Sequence, residues 1–339
     1  MRPSAMRRLL LVAGAVFVAA GVVAGVALVV KRNRPRPALE PFDDATLAAW
    51  RLPAPPPVPD GGCPTVEPTS GADAGALTRF AAIGDFGFAG PAEEAVADLV
   101  KGWRPEFVIT VGDNNYPLGA ADTIDVNIGL FYHSFIAPYV GRFGCGAVRN
   151  RFFPSLGNHD WMTDGARPYL DYFALPGNER YYDFVWGPVH LFALDSDPAE
   201  PDGNTADSVQ AAWLKRRLAA STARWKIVYL HHAPYSSGPH GSQLALRWPY
   251  KAWGVDLVLA GHDHDYERFD IDGLPYVVDG LGGAVFYPLG SPASGSVARY
   301  NENAGALLVE ADATSLSGRF QTVDGRQIDT FALTKPAAR

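Results

Sequence analysis

The stretch "VDLVLAGHDH", residues 255–264, decides how the rest of this sequence is interpreted. Its apolar run, Val255 to Ala260, predicts a buried β-strand, and Gly261 predicts a turn where that strand ends. Side chains at positions i and i+2 of an extended segment point the same way, so His262 and His264 are expected to share a face. Two imidazoles in this arrangement can bind metal, although an isolated His-x-His is also common in solvated loops. The remainder of the chain must therefore decide between these interpretations.

The same pattern, an apolar run followed by acidic, Asn, Tyr or His residues, recurs earlier in the chain. The four other runs are "RFAAIGDFG" (79–87), "FVITVGDNNY" (107–116), "FFPSLGNHD" (152–160) and "WKIVYLHH" (225–232). Helical patterns lie between some of them, which predicts an α/β fold whose site forms beyond the carboxyl ends of the strands. One Gly-Asp at a strand end is usually structural. Five such clusters in order favour a shared site, and their mixed oxygen and nitrogen donors suit Fe, Zn or Mn.

Length and composition place limits on the class of protein. The chain has 339 residues, of which 47% are hydrophobic and 12% aromatic, enough for a sizeable core in one large catalytic domain. Its formal net charge of −7, without a long basic run beyond the N-terminal region, argues against nucleic acid as the main partner. Small anions bound by metal are compatible with this charge. The sequence leaves the oligomeric state unknown.

The N-terminal region differs in composition from the rest of the chain. A short basic tail, residues 1–8, precedes Leu9 to Val30, which is 22 residues without a charge. At about 1.5 Å per residue this segment spans roughly 33 Å as a helix and predicts a transmembrane anchor. The alternative is a cleaved signal peptide, which would make the protein secreted. The basic run "KRNRPRP" that follows favours a retained anchor, but the distribution of positive charge does not set its orientation.

Residues 31–76 are rich in proline and predict an extended tether, and the catalytic domain is predicted to occupy residues 77–335. The two cysteines are Cys63 in the tether and Cys145 in a glycine-rich loop. They form one disulfide if the domain faces an oxidising compartment, and otherwise they are two free thiols. Both possibilities are open from the sequence.

Taken in order, the motifs "GDFG", "GDNNY", "GNHD", "VYLHH" and "GHDH" resemble those of the calcineurin-like metallophosphoesterases. Most of these proteins have Asp-x-His in the first motif, whereas here Asp85 is followed by Phe86 and Gly87, and Tyr116 replaces the missing histidine. This departure resembles the purple acid phosphatases, in particular the small, tartrate-resistant type. The resemblance runs from about residue 79 to 335. It implies a four-layer α/β/β/α sandwich, here preceded by the N-terminal transmembrane helix.

The resemblance also implies two metal sites that share one carboxylate. Asp85, Tyr116 and His264 would bind Fe(III), and Asp113 would bridge to a second ion, which is Fe(II), Zn or Mn. Asn158, His231 and His262 would complete the second site. The adjacent histidine, His232, is an alternative to His231, because relatives differ in the spacing of this motif.

Four further residues receive roles by the same resemblance. His159 is expected to protonate the leaving-group oxygen, with Asp160 orienting it, and Asn114 and His240 are candidate substrate-binding residues. The implied activity is that of an acid phosphatase, in which a metal-activated hydroxide attacks the phosphorus of a phosphate monoester. The alternatives are a phosphodiesterase or nucleotide hydrolase on the same fold, and an inactive membrane-tethered binding protein. The catalytic domain is expected to lie outside the cytoplasm.

Overall fold

Two β-sheets flanked by helices form the part of the chain that the computed structural model describes, which is Cys63 and residues 77–337. The predicted anchor, Leu9 to Val30, lies outside these residues, and so does the tether apart from Cys63. Among the described residues, no helix combines the length and the apolar character that crossing a bilayer requires. The N-terminal anchor therefore stays a prediction.

The strands are numbered in chain order. They are β1 Thr78–Ile83, β2 Phe107–Thr110, β3 Phe152–Pro154, β4 Tyr182–Trp186, β5 Val189–Ala193, β6 Trp225–His232, β7 Leu257–Gly261, β8 Tyr266–Ile271, β9 Leu274–Asp279, β10 Ser296–Tyr300, β11 Gly305–Ala311, β12 Ser315–Thr322 and β13 Gln327–Thr334. The first sheet has the order β13-β12-β11-β1-β2-β3, and the second has the order β10-β8-β9-β7-β6-β5-β4. Strand β1 thus pairs with β2 on one side and with β11, from the C-terminal part of the chain, on the other.

Within Cys63 and residues 77–337, five α-helical segments and four short helical turns connect the strands. The α-helices are α1 Pro91–Gly102, α2 Leu130–Tyr132, α3 Asn158–Trp161, α4 Arg167–Tyr172 and α5 Val209–Ala220. A π-helical turn covers Asp125–Gly129, and 3-10 turns cover His133–Phe135, Asp164–Ala166 and Leu244–Leu246. Helix α1 begins with proline at its first position, which suits a helix start, and packs against β11. Ser208 caps α5 by accepting a hydrogen bond from the backbone N–H of Ala211.

The core explains the layered arrangement. In β6, Ile227 and Tyr229 belong to the large apolar cluster that the two sheets share, whereas Val228 and Leu230 belong to a second cluster. Leu214 of α5 lies in that second cluster. Because successive side chains of a strand point to opposite faces, one face of the second sheet packs toward the first sheet and the other toward α5. The mixed α/β fold with two sheets that the sequence predicted is confirmed.

Parallel strand pairs bring the predicted site residues to one edge. Strands β1, β2 and β3 are parallel neighbours, as are β5, β6 and β7. Within three residues of the ends of β1, β2 and β7, the backbone turns sharply at Asp85, Asp113 and His262, whose φ angles are 54°, 53° and 73°. Positive φ is costly for residues with a Cβ and concentrates at functional sites. These three residues are among the predicted metal ligands.

A disulfide joins Cys63 to Cys145, so the alternative of two free thiols is wrong. Their Cα atoms lie 5.3 Å apart, and the two residues are 82 positions apart in the sequence. Next to this bond, the carbonyl oxygen of Cys145 lies 2.7 Å from Nδ1 of His133. The disulfide therefore attaches one point of the predicted tether to the loop that follows β2 and its helical turns.

Candidate metal centre

The first donor group contains Asp85, Asp113, Tyr116 and His264. The Tyr116 hydroxyl donates to Asp113 Oδ2 over 2.9 Å and lies 3.3 Å from Asp85 Oδ1. The Nε2 atom of His264 is 3.1 Å from that hydroxyl and 3.4 Å from Asp85 Oδ1. One ligand atom each from Asp85, Asp113 and His264 lies within 4.8 Å of the others. These side chains come from three strand ends and meet at a single point.

Backbone contacts fix the orientation of this group. The backbone N–H of His262 donates to Asp85 Oδ2 over 2.9 Å, which leaves Oδ1 turned toward Tyr116. The Nδ1 atom of His264 lies 2.5 Å from the carbonyl oxygen of Val285. That contact holds the proton on Nδ1 and presents Nε2 as a ligand, the usual arrangement behind a metal-binding histidine.

The second donor group contains Asn158, His231 and His262. The Nε2 atom of His231 lies 3.0 Å from Asn158 Oδ1 and 3.1 Å from Nδ1 of His262. Its other ring nitrogen, Nδ1, lies 2.9 Å from the Val111 carbonyl oxygen. Two imidazole nitrogens and an amide oxygen are thus turned toward one another, a combination of donor types that suits a borderline divalent cation.

Asp113 connects the two groups. Its Oδ2 accepts the hydrogen bond from Tyr116 in the first group, and its Oδ1 lies 3.4 Å from Nε2 of His231 in the second. The carboxylate therefore has one oxygen directed at each group, as a bridging ligand must. The backbone N–H of His159 also donates to Oδ1 over 3.0 Å and fixes the carboxylate plane.

The protonation states of the side chains in the centre depend on their burial and on the charged groups beside them. Burial, reinforced by Asp113 and Asp85, raises the pKa of Tyr116 well above its ordinary value, so a tyrosinate would form only beside a strong cation. Burial and the neighbouring histidines lower the pKa of His262, which keeps its imidazole neutral and able to bind metal. Burial lowers the pKa of His231, but the charge and hydrogen bond of Asp113, together with Asp85 and the Val111 carbonyl, raise it to about 10 in the absence of metal. The donor types and their convergence thus fit two metal ions.

The sequence did not decide which of the adjacent residues His231 and His232 is the metal ligand, and the structure places their side chains differently. The His231 side chain is fully buried and is directed at Asn158 and Asp113. The next residue, His232, has Nδ1 2.9 Å from the hydroxyl of Ser196, outside either donor group, although its ring packs 4.3 Å from that of His262. The geometry favours His231 as the ligand.

His159 lies beside the centre, but a different group orients it from the one predicted. Its Nε2 is 3.9 Å from Asp113 Oδ2, and its ring packs 4.5 Å from that of Tyr116. Its Nδ1 lies 2.6 Å from the carbonyl oxygen of Pro117, whereas the Asp160 side chain bonds elsewhere. The prediction that Asp160 orients His159 is therefore wrong. Asp160 is the third residue of α3, and its Oδ2 accepts a hydrogen bond from the backbone N–H of Gly157, the residue that precedes the helix.

Asn114 also has a different place from the one predicted. It is fully buried, and its side-chain amide donates to the Ser155 carbonyl oxygen and to Asp160 Oδ2, each over 2.8 Å. Both amide hydrogens are used inside the protein, so the prediction that Asn114 contacts substrate is corrected. Together, Asn114 and Asp160 join the loop after β2 to the start of α3. Burial raises the pKa of Asp160 to about 7.

His240 and one residue that sequence reasoning missed border the centre. The His240 ring stacks on that of His262, with centroids 4.1 Å apart. The ring of Tyr287 stacks on that of His264 at 4.1 Å and an interplanar angle of 7°. Tyr287 follows no apolar strand and belongs to none of the five motifs, so the sequence carried no signal for it.

The fold agrees with the comparison with known families. The chain belongs to the calcineurin-like phosphoesterase family, whose model matches residues 78–266. Among its relatives, purple acid phosphatase 17 of Arabidopsis thaliana is 30% identical over 236 residues, which cover 60% of this chain and 68% of the relative. Tartrate-resistant acid phosphatase type 5 of Rattus norvegicus is 28% identical over 242 residues, covering 60% and 72%. The resemblance drawn from the motifs is confirmed.

Solved structures share the fold at lower identity. The purple acid phosphatase PPD1 of yellow lupin superimposes with a TM-score of 0.61 at 17% identity, covering 77% of this chain and 54% of that one. This chain thus matches about half the length of the lupin protein. GAP50, described as the anchor in the inner membrane complex of Plasmodium, gives a TM-score of 0.60 at 19% identity, covering 77% and 90%. At these identities the likeness concerns the fold alone.

Proposed function

We propose that this metal-dependent phosphoesterase is an acid phosphatase that hydrolyses phosphate monoesters at a binuclear metal centre. The observation that carries the proposal is the position of Asp113, with one carboxylate oxygen directed at each donor group. A carboxylate so placed lowers the repulsion between two cations held a few ångströms apart. The acid phosphatase relatives support the same reaction class.

Each donor group would hold one ion. Asp85, Tyr116 and His264 would hold Fe(III), since phenolate and carboxylate oxygens favour a hard trivalent cation, and Asn158, His231 and His262 would hold Fe(II), Zn or Mn. When bound, the two ions would make a water acidic enough to act as a nucleophile at low pH and would neutralise charge on the phosphate.

The protein's own residues would position the ester and move one proton. In this reaction a hydroxide would form a new P–O bond as the ester P–O bond breaks, and the departing alkoxide would take a proton to leave as the alcohol. His159 is placed to supply that proton from Nε2, because the Pro117 carbonyl already engages Nδ1. His240, stacked beside His262, would bind a phosphate oxygen.

The first test is hydrolysis of an aryl phosphate monoester and of the matching diester by the metal-loaded full chain, at acidic and at neutral pH. The Asp113→Asn variant serves as the matched control, because it keeps the size of the side chain and removes its negative charge. Monoester turnover that the substitution abolishes is the expected result. Turnover of the diester alone would replace the proposal with a phosphodiesterase or nucleotide hydrolase.

The non-enzymatic alternative, a membrane-tethered binding protein, predicts no turnover of either ester in a fully metal-loaded sample. Proteins that keep this fold without activity would be expected to lose donors from the centre. All seven predicted ligands are present here, and they converge in two groups. The intact donor set therefore favours the enzyme.

We further propose that the catalytic domain lies outside the cytoplasm, attached by the N-terminal segment or, if that segment is cleaved, secreted. The disulfide between Cys63 and Cys145 supports this location, because disulfides persist in oxidising compartments. Protease treatment of intact cells, followed by detection of the domain, tests the location directly.

A further inference from the structure

A cavity of about 670 Å³ lies on the outer face of the first sheet, between strands β11, β12 and β13 and the end of helix α1. Small-molecule sites commonly have volumes of about 300–1,000 Å³. Arg79, near the start of β1, lines the cavity, whereas the candidate metal centre lies beyond the end of β1, which is Ile83. About 13 Å of extended strand separates these two residues. No residue of either donor group lines the cavity, so it is a separate feature of the molecule.

The alternation of side chains along β12 directs polar groups into this cavity. Leu316 and Phe320 of β12 belong to the apolar core between the sheets. Ser317 and Arg319 occupy the alternate positions and therefore point to the outer face. Thr330 of β13 lies directly opposite Arg319 in the antiparallel pair, which places both side chains on the same face. All three of these polar residues line the cavity.

The two arginines of the cavity differ in their partners. Arg79 donates from Nε to Glu310 Oε1 over 2.7 Å and from a terminal nitrogen to the Trp103 carbonyl oxygen over 3.3 Å. Glu310 also lines the cavity, so the charge of Arg79 is compensated there. Arg319 is partly buried, and it forms no hydrogen bond or ion pair with any residue that the structure describes. The lining therefore carries one positive charge without a counter-charge.

The rest of the lining combines apolar surface with hydrogen-bonding groups. Trp103 and Leu308 supply apolar surface. The hydroxyls of Ser317 and Thr330 form no hydrogen bond within the described part of the chain, and neither does the indole nitrogen of Trp103. A sugar ring has hydroxyl groups around its edge and C–H groups on its faces, so it suits a lining of this mixed kind. A guanidinium group binds a carboxylate through two parallel hydrogen bonds.

We propose that this cavity binds a saccharide that carries a carboxylate, with Arg319 pairing with the carboxylate and the hydroxyls of Ser317 and Thr330 bonding to the sugar. The single uncompensated charge matches one carboxylate, whereas a phosphate dianion would need a second cation. The chain as a whole has a formal net charge of −7, so an anion gains its affinity from this local group and not from the overall field. The inference does not depend on the proposed phosphatase function.

The experiment measures binding of glucuronate to the metal-loaded full chain by isothermal titration calorimetry. Glucose, which lacks the carboxylate, and acetate, which lacks the sugar ring, are titrated in parallel. The test variant is Arg319→Gln, and its matched control is Arg216→Gln, because Arg216 is an exposed arginine on helix α5 and does not line the cavity. The Asp113→Asn variant is included to detect any glucuronate that binds at the metal centre instead.

Arg319→Gln is expected to raise the Kd for glucuronate by roughly tenfold to a hundredfold, the usual effect of losing hydrogen bonds to a charged group. Glucose and acetate should each bind at least about tenfold more weakly than glucuronate, and the Arg216→Gln and Asp113→Asn variants should bind it as the unsubstituted protein does. The urea midpoint of Arg319→Gln should not change, because its side chain makes no bond within the described residues.

Four results would overturn the inference. They are no binding of glucuronate, an unchanged Kd in Arg319→Gln, acetate that binds as tightly as glucuronate, and loss of glucuronate binding in Asp113→Asn. The third result would mean that the cavity holds a simple anion only, and the fourth would place the carboxylate at the metal centre. None of the four depends on whether the protein hydrolyses phosphate esters, so the phosphatase proposal is tested separately.

Discussion

Gly157 leaves no room for a side chain beside the carboxylate that connects the two donor groups. A Cβ at this position would lie 2.2 Å from Asp113 Oδ1 and 2.2 Å from the Asp113 backbone nitrogen. The backbone φ at Gly157 is −111°, which any residue adopts, so the Gly157→Ala substitution introduces a steric clash without backbone strain. Ordinary contact begins near 3.4 Å, and Asp113 must therefore move by about 1 Å.

That displacement sets the expected magnitude. A misplacement of about 1 Å in a reacting constellation costs on the order of a hundredfold in rate. Overpacking a well-packed site costs about 1–3 kcal/mol in the free energy of unfolding. We expect Gly157→Ala to lose roughly a hundredfold in kcat/KM for an aryl phosphate while the protein still folds.

The assay combines kcat/KM, the content of bound metal and the unfolding midpoint. The matched control is Gly102→Ala at the end of α1, where an added Cβ meets nothing within 4 Å. That control should keep full activity. A Gly157→Ala protein with unchanged kcat/KM and two bound metal ions would refute the argument that the position of Asp113 governs the centre.

Three other predictions test separate parts of the molecule. A purified sample that contains Fe(III) should absorb visible light through the Tyr116 phenolate, and Tyr116→Phe should remove that band; a colourless, fully active, iron-free enzyme would contradict the Fe(III) assignment. Burial raises the pKa of Glu93 above its usual 4.5, so the folded state binds more protons than the unfolded state once the pH exceeds about 4.5, and stability falls as the pH rises. Glu93→Gln should therefore gain up to about 1.4 kcal/mol over the unsubstituted protein per pH unit above that value, in urea unfolding at several pH values; parallel stability curves would rule this out. Reduction of the disulfide between Cys63 and Cys145, which are 82 positions apart, should lower the free energy of unfolding by as much as about 4 kcal/mol. Reductant should not change the stability of Cys145→Ser, which lacks the disulfide. An unchanged urea midpoint on reduction of the unsubstituted protein would exclude a stabilising role for the bond.

The strand ends were the most predictable part of the site. An apolar run that stops at Gly and a polar cluster reports both the strand and the place where its side chains meet others. For this reason Asp85, Asp113 and His262 could be placed from the sequence, and all three take up the sharp turns that this pattern favours.

Roles inside the loops were less predictable, because one residue type serves several purposes. Asn114 and Asp160 lie next to predicted ligands, yet their side chains bond to each other and to backbone groups. Asparagine and aspartate brace turns as readily as they bind ligands, and only the direction of the side chain separates these uses. Tyr287 reaches His264 through tertiary packing alone, which no local pattern records.

The order of strands in the first sheet has a consequence for how the protein is made. Strand β1, which carries Asp85 to the centre, pairs on one side with β11, more than 220 residues further along the chain. During synthesis that edge of β1 stays open until the C-terminal strands have been made, and an open apolar edge is prone to aggregation. High contact order of this kind makes folding slow and essentially post-translational. A premature stop before β11 would thus leave every metal ligand encoded and still yield no working centre.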